Sequence, residues 1–317
     1  MLFVTPYCRS TLWGGSRLFT YFPKADLPNL AEAWIFSLSS AGEGTVMGES
    51  LTKVLTNKGV DKATLSALPL VKLIDTADLL SVQVHPNDSE ALALDGEPRG
   101  KNEMWYILDA EPGAFIYLNL KHDKAAFLSA LDKLTPTDEM QKVYVKKGDA
   151  FLLPAGMVHA LGKGITLLEV QQQSDLTYRL WDFMRLDANG ELRPLHTEKA
   201  KAVLKALPKQ DVEAFRYAMG NQKSYTVSGD AKPKVDCLAN TPYFSLEIAE
   251  VTPNSPLTLS ALRKPVILVC TEGKGQLCTA HETSSFGIGE TVCLLPSDGD
   301  VTLSGALSCA IISISPL

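Results

Sequence analysis

No apolar run in the 317 residues approaches the ~20 that a membrane-spanning helix requires, so no membrane association is expected. The opening stretch Met1-Leu2-Phe3-Val4-Thr5-Pro6 is apolar, but Pro6, Arg9 and Arg17 interrupt it. It has no basic region leading to a small-residue cleavage site, so no signal peptide is expected. There is no Cys-x-x-Cys pair. Of the six cysteines only Cys8 lies outside the C-terminal third, and all are expected to be free thiols in a reducing cytoplasm. Excess positive charge is also missing. Thirty Lys and Arg against 36 Asp and Glu leave a net charge of −6 and no basic stripe, which argues against nucleic acid as a partner. An anionic substrate must therefore meet local cations. Internal repeats and low-complexity segments are absent too, and 45% apolar with 21% charged residues is ordinary globular composition.

What is present is mostly short β-rich runs broken by Gly, Pro, Asn and Asp. They include 79–85, 104–108, 114–120, 143–145, 151–153 and 166–171, and, further on, 243–251, 266–271, 291–295 and 307–314. Many short strands between turn signals predict a sandwich or barrel. Two helices are expected. One runs from Asp123 to Leu134, where Phe127, Leu128, Leu131 and Leu134 recur at helical spacing behind a capping Asp. The other starts at Thr197 as N-cap and ends before Pro208. The length suits two domains. These are placed at 1–207, with a helical insertion at about 123–134, and at 241–317, joined by an irregular connection at 208–240.

Three segments could carry chemistry. Along Ser81-Val82-Gln83-Val84-His85-Pro86, strand alternation puts Gln83 and His85 on one face and Val82 and Val84 on the other. That pattern suits a barrel interior that binds something polar, or an edge strand with a solvent-facing histidine. In Gly100-Lys101-Asn102-Glu103-Met104-Trp105, the side chains of Lys101, Glu103 and Trp105 share a face. If that face is inward, the Glu needs a cation, a metal or a proton to compensate it. The third runs from Gly148 to His159, where a glycine turn and a short apolar strand lead into Pro154-Ala155-Gly156 and then His159. Its order, G-x5-P-x-G-x2-H, resembles the second motif of the cupin family, although Lys163 stands where an Asn often follows. Two His and one Glu on barrel strands give N,N,O ligation suited to zinc or non-haem iron. The common cupin first motif has His-x-His with Glu a few residues on. Here Gln83 replaces the first His, and residues 86–102 separate His85 from Glu103.

That departure resembles one branch in particular, type I mannose-6-phosphate isomerase in its short bacterial form. The likeness runs through Leu12-Trp13-Gly14-Gly15, Glu32-Ala33-Trp34, Lys72-Leu73-Ile74-Asp75 and Gln83-Val84-His85-Pro86-Asn87-Asp88. It continues through residues 100–105, Pro154 to Leu161, Glu169 to Arg179 and Leu195-His196-Thr197-Glu198-Lys199-Ala200. The resemblance implies a mainly β fold of two cupin (jelly-roll) barrels and one Zn2+ per chain. Its ligands would be His85, Glu103 and His159, with Gln83 as a fourth. It further implies a catalytic Arg179, an acid/base Lys101, and Lys72 near the substrate. Asp175 joins Lys72 as a substrate-binding candidate and is also a candidate to orient Arg179.

The implied reaction interconverts mannose 6-phosphate and fructose 6-phosphate, moving a proton between C1 and C2 of the open-chain sugar through an enediolate. A metal near O1 and O2 would stabilise the developing charge, and Lys72, Lys101 and Arg179 would meet the anionic substrate. Lys101, a water on the metal and a carboxylate stay open as the proton-transfer group. Two rivals are weighed against this reading: an iron-dependent cupin oxygenase, which has the same ligand types, and a non-enzymatic sugar-binding cupin. The clustered cations and Gln83 speak against the first, and the lack of an output module speaks against the second. In the C-terminal domain, Gly289 to Pro296 echoes the motif without a following histidine, and His281 is the only histidine nearby. A second barrel without a metal is expected there.

Overall fold

The structure, a computed structural model, describes residues 1–187, 189–207, 226–228 and 233–314. Most of the expected connection at 208–240 lies outside the described residues. The protein is mainly β, with few and short helices. It divides into two compact units. One comprises Met1–Tyr7, Trp34–Val71 and Tyr217–Leu317, and the other Cys8–Ala33 with Lys72–Arg216. Segment 34–71 therefore groups with the C-terminal strands, whereas the sequence placed it within 1–207. The reason is pairing at long sequence separation. Strand Leu2–Val4 pairs antiparallel with Thr291–Leu294, and Thr5 bridges Thr45. No local pattern announces such contacts.

The Lys72–Arg216 unit carries two sheets. The first has the order Met140–Tyr144, Phe115–Leu120, His159–Leu161, Val82–Val84 and Tyr178–Trp181. The second has, within this unit, the order Ala150–Leu153, Glu103–Ala110, Ile165–Gln171, then residues 72–76, 32–33 and 8–9. Apolar side chains from both, among them Ile116, Leu118 and Leu161 from the first and Trp105, Ile107 and Leu167 from the second, are buried in one cluster. Face-to-face packing of this kind, with alternate residues turned inward, makes the inner face the natural place for a site.

The strand expected at 79–85 shortens to Val82–Val84, leaving His85 just past its end, before Pro86. The expected helix at 123–134 is Lys124–Asp132, and the Asp123 carboxylate accepts the Ala126 N–H as its cap. Its Phe127 and Leu131 pack with Val82, Val84 and Tyr178 beside the first sheet. The later helix is Thr197–Val203, so His196 takes the cap position assigned to Thr197. Three further short helices, Leu51–Asn57, Lys62–Ala67 and Asp88–Asp95, were not expected. Each is at most about two turns, too short for an apolar period, and side chains fix their starts: Ser50, Asp61, and an Asn87–Glu90 capping box.

In the other unit nine of the described strands form an antiparallel sheet, and Thr45–Val46 and Glu49–Ser50 pair separately. Its long strands Val266–Cys278 and Val301–Ile314 pair along most of their length. Its buried face is apolar, with Leu268, Phe286, Val292 and Ile311 among its members. His281 is exposed, and no metal-capable group occurs among this unit's described residues.

Candidate active site

Strand register brings the candidate residues together. His159 lies directly opposite Gln83, and Gln83 lies opposite Arg179, so three neighbouring strands present one row of polar side chains. On the facing sheet Glu103 lies opposite both Leu153 and Gln171, and Trp105 lies opposite Glu169. One ligand atom from each of His85, Glu103 and His159 lies within 4.8 Å of the other two, and all three residues are buried. His85 Nε2 is 3.5 Å from Glu103 Oε2, and His159 Nε2 is 3.3 Å from Glu103 Oε1.

Hydrogen bonds fix how the rings are offered. His85 Nδ1–H donates to the Leu176 carbonyl at 2.8 Å, and His159 Nδ1–H donates to the Met157 carbonyl at 2.9 Å. Each ring then turns a bare Nε2 toward Glu103, the outer-shell arrangement that sets the tautomer of a metal-ligating histidine. Burial pulls the His159 imidazole down to about 4 and holds His85 well below its ordinary range, so both rings are neutral. His85 Nε2 and Glu103 Oε1 are buried without a hydrogen-bond partner among the described residues, whereas Glu103 Oε2 faces the Lys101 ammonium. Burial pushes the Glu103 carboxyl up, against the pull of the Lys101 ammonium 3.0 Å from Oε2. Buried polar atoms left unmatched are costly. Two bare imidazole nitrogens and a carboxylate at 3.3–3.5 Å fit a shared cation, since tetrahedral ligands ~2.1 Å from an ion lie about 3.4 Å apart. Gln83 is adjacent, its Nε2 3.3 Å from His159 Nε2 while its Oε1 accepts from Ser81 Oγ.

Gln83 and Lys101, which touch this group, also line a pocket of about 300 Å³. Five cations line it: Arg9, Lys72, Lys101, Arg179 and Arg193. Glu32, Glu169 and Asp175 line it as well, so the wall is polar with an excess of positive charge. Lys72 Nζ sits 3.5 Å from Glu169 and 3.3 Å from Asp175. Burial alone would lower the Lys101 ammonium, but Glu103, Glu169 and Asp175 outweigh it and hold the group above its ordinary value. Arg193 is bound to Asp182, its Nε donating at 2.6 Å. Arg179 differs from these. Among the described residues no carboxylate pairs with it; its Nη1 donates to the Pro194 carbonyl at 2.8 Å, and its Nε is buried without a partner. Asp175, expected as a candidate to orient Arg179, pairs with Lys72 instead.

The sequence reading gave no role to Glu169, which accepts the Trp105 indole N–H at 3.0 Å. A signal was available, because Glu169 is the one charged residue in the wholly buried strand Ile165–Gln171. Arg9, Arg193 and Asp182 carry no such local signal.

No family model matches the chain. Its sequence is 30% identical over 320 residues to the mannose-6-phosphate isomerase ManA of Bacillus subtilis, covering 98% of each chain. Its fold matches the crystal structure of the mannose 6-phosphate isomerase from Bacillus subtilis with a TM-score of 0.85, at 27% identity and 99% coverage of both chains. It also matches a mannose 6-phosphate isomerase bound with zinc and yttrium, with a TM-score of 0.75 at 17% identity, covering 100% of each chain, a likeness of fold.

Proposed function

Because the chain belongs to the type I mannose-6-phosphate isomerase family, we propose that His85, Glu103 and His159 hold one zinc ion and that the site isomerises mannose 6-phosphate through an enediolate. The observation that carries the metal is the convergence of buried ligand atoms: His85 Nε2 and Glu103 Oε1 have no hydrogen-bond partner among the described residues, and His159 Nε2 meets only the Gln83 amide. When bound, zinc supplies a Lewis acid for the oxygens that gain charge during enolisation.

The chain's own residues supply the rest. Lys101 stands between the metal group and the pocket, from where its ammonium can donate to a sugar oxygen. Glu169 and Asp175 place Lys72 at the pocket wall. Arg179, with no carboxylate paired to it among the described residues, is the guanidinium most available to an anionic substrate. The cationic lining gives the phosphate a place despite the chain's net charge of −6. Gln83 is one amide rotation from turning its oxygen toward His159 Nε2, which would make it a fourth ligand. We also place the enzyme in the cytoplasm, a reading supported by six free cysteines. No helix among the described residues is long and apolar enough to cross a membrane.

A coupled assay of mannose 6-phosphate conversion to fructose 6-phosphate, with and without a chelator, tests this reading. Activity should vanish after chelation and return with zinc, while oxygen consumption stays at background. Turnover that survives complete metal removal would refute the zinc reading, and iron-dependent oxygen uptake would favour an oxygenase.

The geometry of the ligand strands gives a second expectation. Gly100 packs against the backbone that follows His85, where an added Cβ would lie 2.4 Å from the Pro86 carbonyl oxygen and 2.3 Å from the Asn87 carbonyl carbon. Lys101 N–H also donates to that Pro86 oxygen at 2.9 Å. Gly100→Ala must therefore push the Lys101–Glu103 segment away from His85. It should destabilise the protein by about 1–3 kcal/mol and weaken metal retention. Urea denaturation and zinc content after dialysis measure both. Wild-type values for the two would show that the backbones yield without moving the ligands.

A further inference from the structure

Arg179 lies on Tyr178–Trp181, the last strand in the order of its sheet, whose one partner strand there is Val82–Val84. Its backbone turns outward from that pairing, and one residue receives both of its polar groups. The Arg179 N–H donates to His196 Nδ1 at 3.1 Å, and the His196 N–H donates to the Arg179 carbonyl at 2.8 Å. His196 thus does for a single position what a neighbouring strand would do. With both groups of Arg179 directed to His196, Arg179 and Gln83 face each other as a non-hydrogen-bonded pair, the kind whose side chains stand closer. Two residues before His196, the Pro194 carbonyl accepts Arg179 Nη1. The segment from Arg193 to His196 therefore grips Arg179 at its backbone and at its guanidinium, and Asp182 holds that segment by accepting from Arg193.

We propose that His196 is a positioning residue for Arg179, acting through its ring Nδ1 as an acceptor. The proposal rests on the reading of Arg179 as a group that acts in the isomerisation. It requires the neutral ring with its proton on Nε2, because a proton on Nδ1 would face the Arg179 N–H. The surroundings favour that state. The ring is half-buried and lies against Tyr178, whose hydroxyl donates to Asp95. Burial, then Arg179 and Lys199, pull its pKa down, with Asp95 opposing them. The capping position at Thr197–Val203 does not account for the contact, because the His196 side chain makes no cap bond to that helix.

The test compares zinc-loaded variants. His196→Leu removes the acceptor and keeps bulk. His196→Asn keeps an acceptor two bonds from Cβ, as Nδ1 is. His196→Leu should lower kcat about tenfold or more with zinc content unchanged, consistent with the cost of a small misplacement of a reacting group. His196→Asn should restore most of that loss, and adding His196→Leu to Arg179→Ala should produce no further fall. Equal losses in the Leu and Asn variants, or a full additional loss in the Arg179→Ala background, would overturn the proposal. A large effect of Arg179→Ala beside wild-type kcat in His196→Leu would sink it while sparing the parent reading. An Arg179→Ala variant with unchanged kcat would remove the parent reading and this one together. If His196→Leu does not fold, the nitrogen-15 shifts of the His196 ring in the wild-type holoenzyme decide: a protonated Nε2 with a bare Nδ1 supports the proposal, and the opposite tautomer refutes it.

Discussion

Glu103→Gln should leave the protein with little bound zinc and lower kcat/KM by about 10³-fold or more, even with zinc supplied in the assay buffer. Glu103 is the hinge of the metal group, since one carboxylate oxygen faces His85 and the other faces His159. The amide is nearly isosteric but removes the negative charge and replaces one acceptor with an NH2 group that cannot ligate a cation. It also takes from Lys101 the carboxylate 3.0 Å away, leaving that buried ammonium dependent on Glu169 and Asp175. The one anionic ligand becomes a neutral amide oxygen, a weaker donor, and the two imidazoles carry no compensating charge. Zinc content by mass spectrometry, read beside steady-state kinetics of the same preparation, checks the expectation. A Glu103→Gln enzyme with a full equivalent of zinc would show that the ion sits elsewhere.

Much of this site was legible because strand alternation acts over two residues. The pairs Gln83/His85 and Glu103/Trp105 could be assigned to common faces from position alone, and the structure brings both pairs to the same inner space. The turn from Pro154 to Gly156 did similar work for His159: the Gly156 N–H donates to the His85 carbonyl, tying one ligand's approach to the other ligand. The clasp on Arg179 was not legible in the same way. His196 stood in a recognised motif, but nothing local says that its ring accepts from a backbone 17 residues earlier. The pairing of Lys72 with Glu169 and Asp175 likewise depends on register between segments about a hundred residues apart in sequence. The grouping of 34–71 with the C-terminal strands follows from the same kind of remote pairing. Periodicity reports which face a residue occupies; it does not report which face it meets.

Arg179→Ala is expected to separate the cation's role from the metal's. The side chain contributes no ligand atom to the His85–Glu103–His159 group, so zinc content should stay at the wild-type level. Its guanidinium lines the pocket with a carbonyl partner and, among the described residues, no paired carboxylate, so its positive charge is not spent on an internal pair there. Burial first, then Arg193 and Arg185, lower its pKa, with Asp182 opposing them. An arrangement that keeps cations together is costly in the free protein and is relieved when negative charge arrives. On the proposed enediolate route, the relief is greatest where charge develops during enolisation. A residue acting mainly at that stage should lower kcat and kcat/KM together, by ~10²-fold or more. If Arg179 instead binds the phosphate equally in ground and transition states, KM rises while kcat holds. Steady-state kinetics of Arg179→Ala with zinc measured in the same sample separates the two, and an unchanged kcat would remove Arg179 from the catalytic group and leave Lys101 as the stronger candidate.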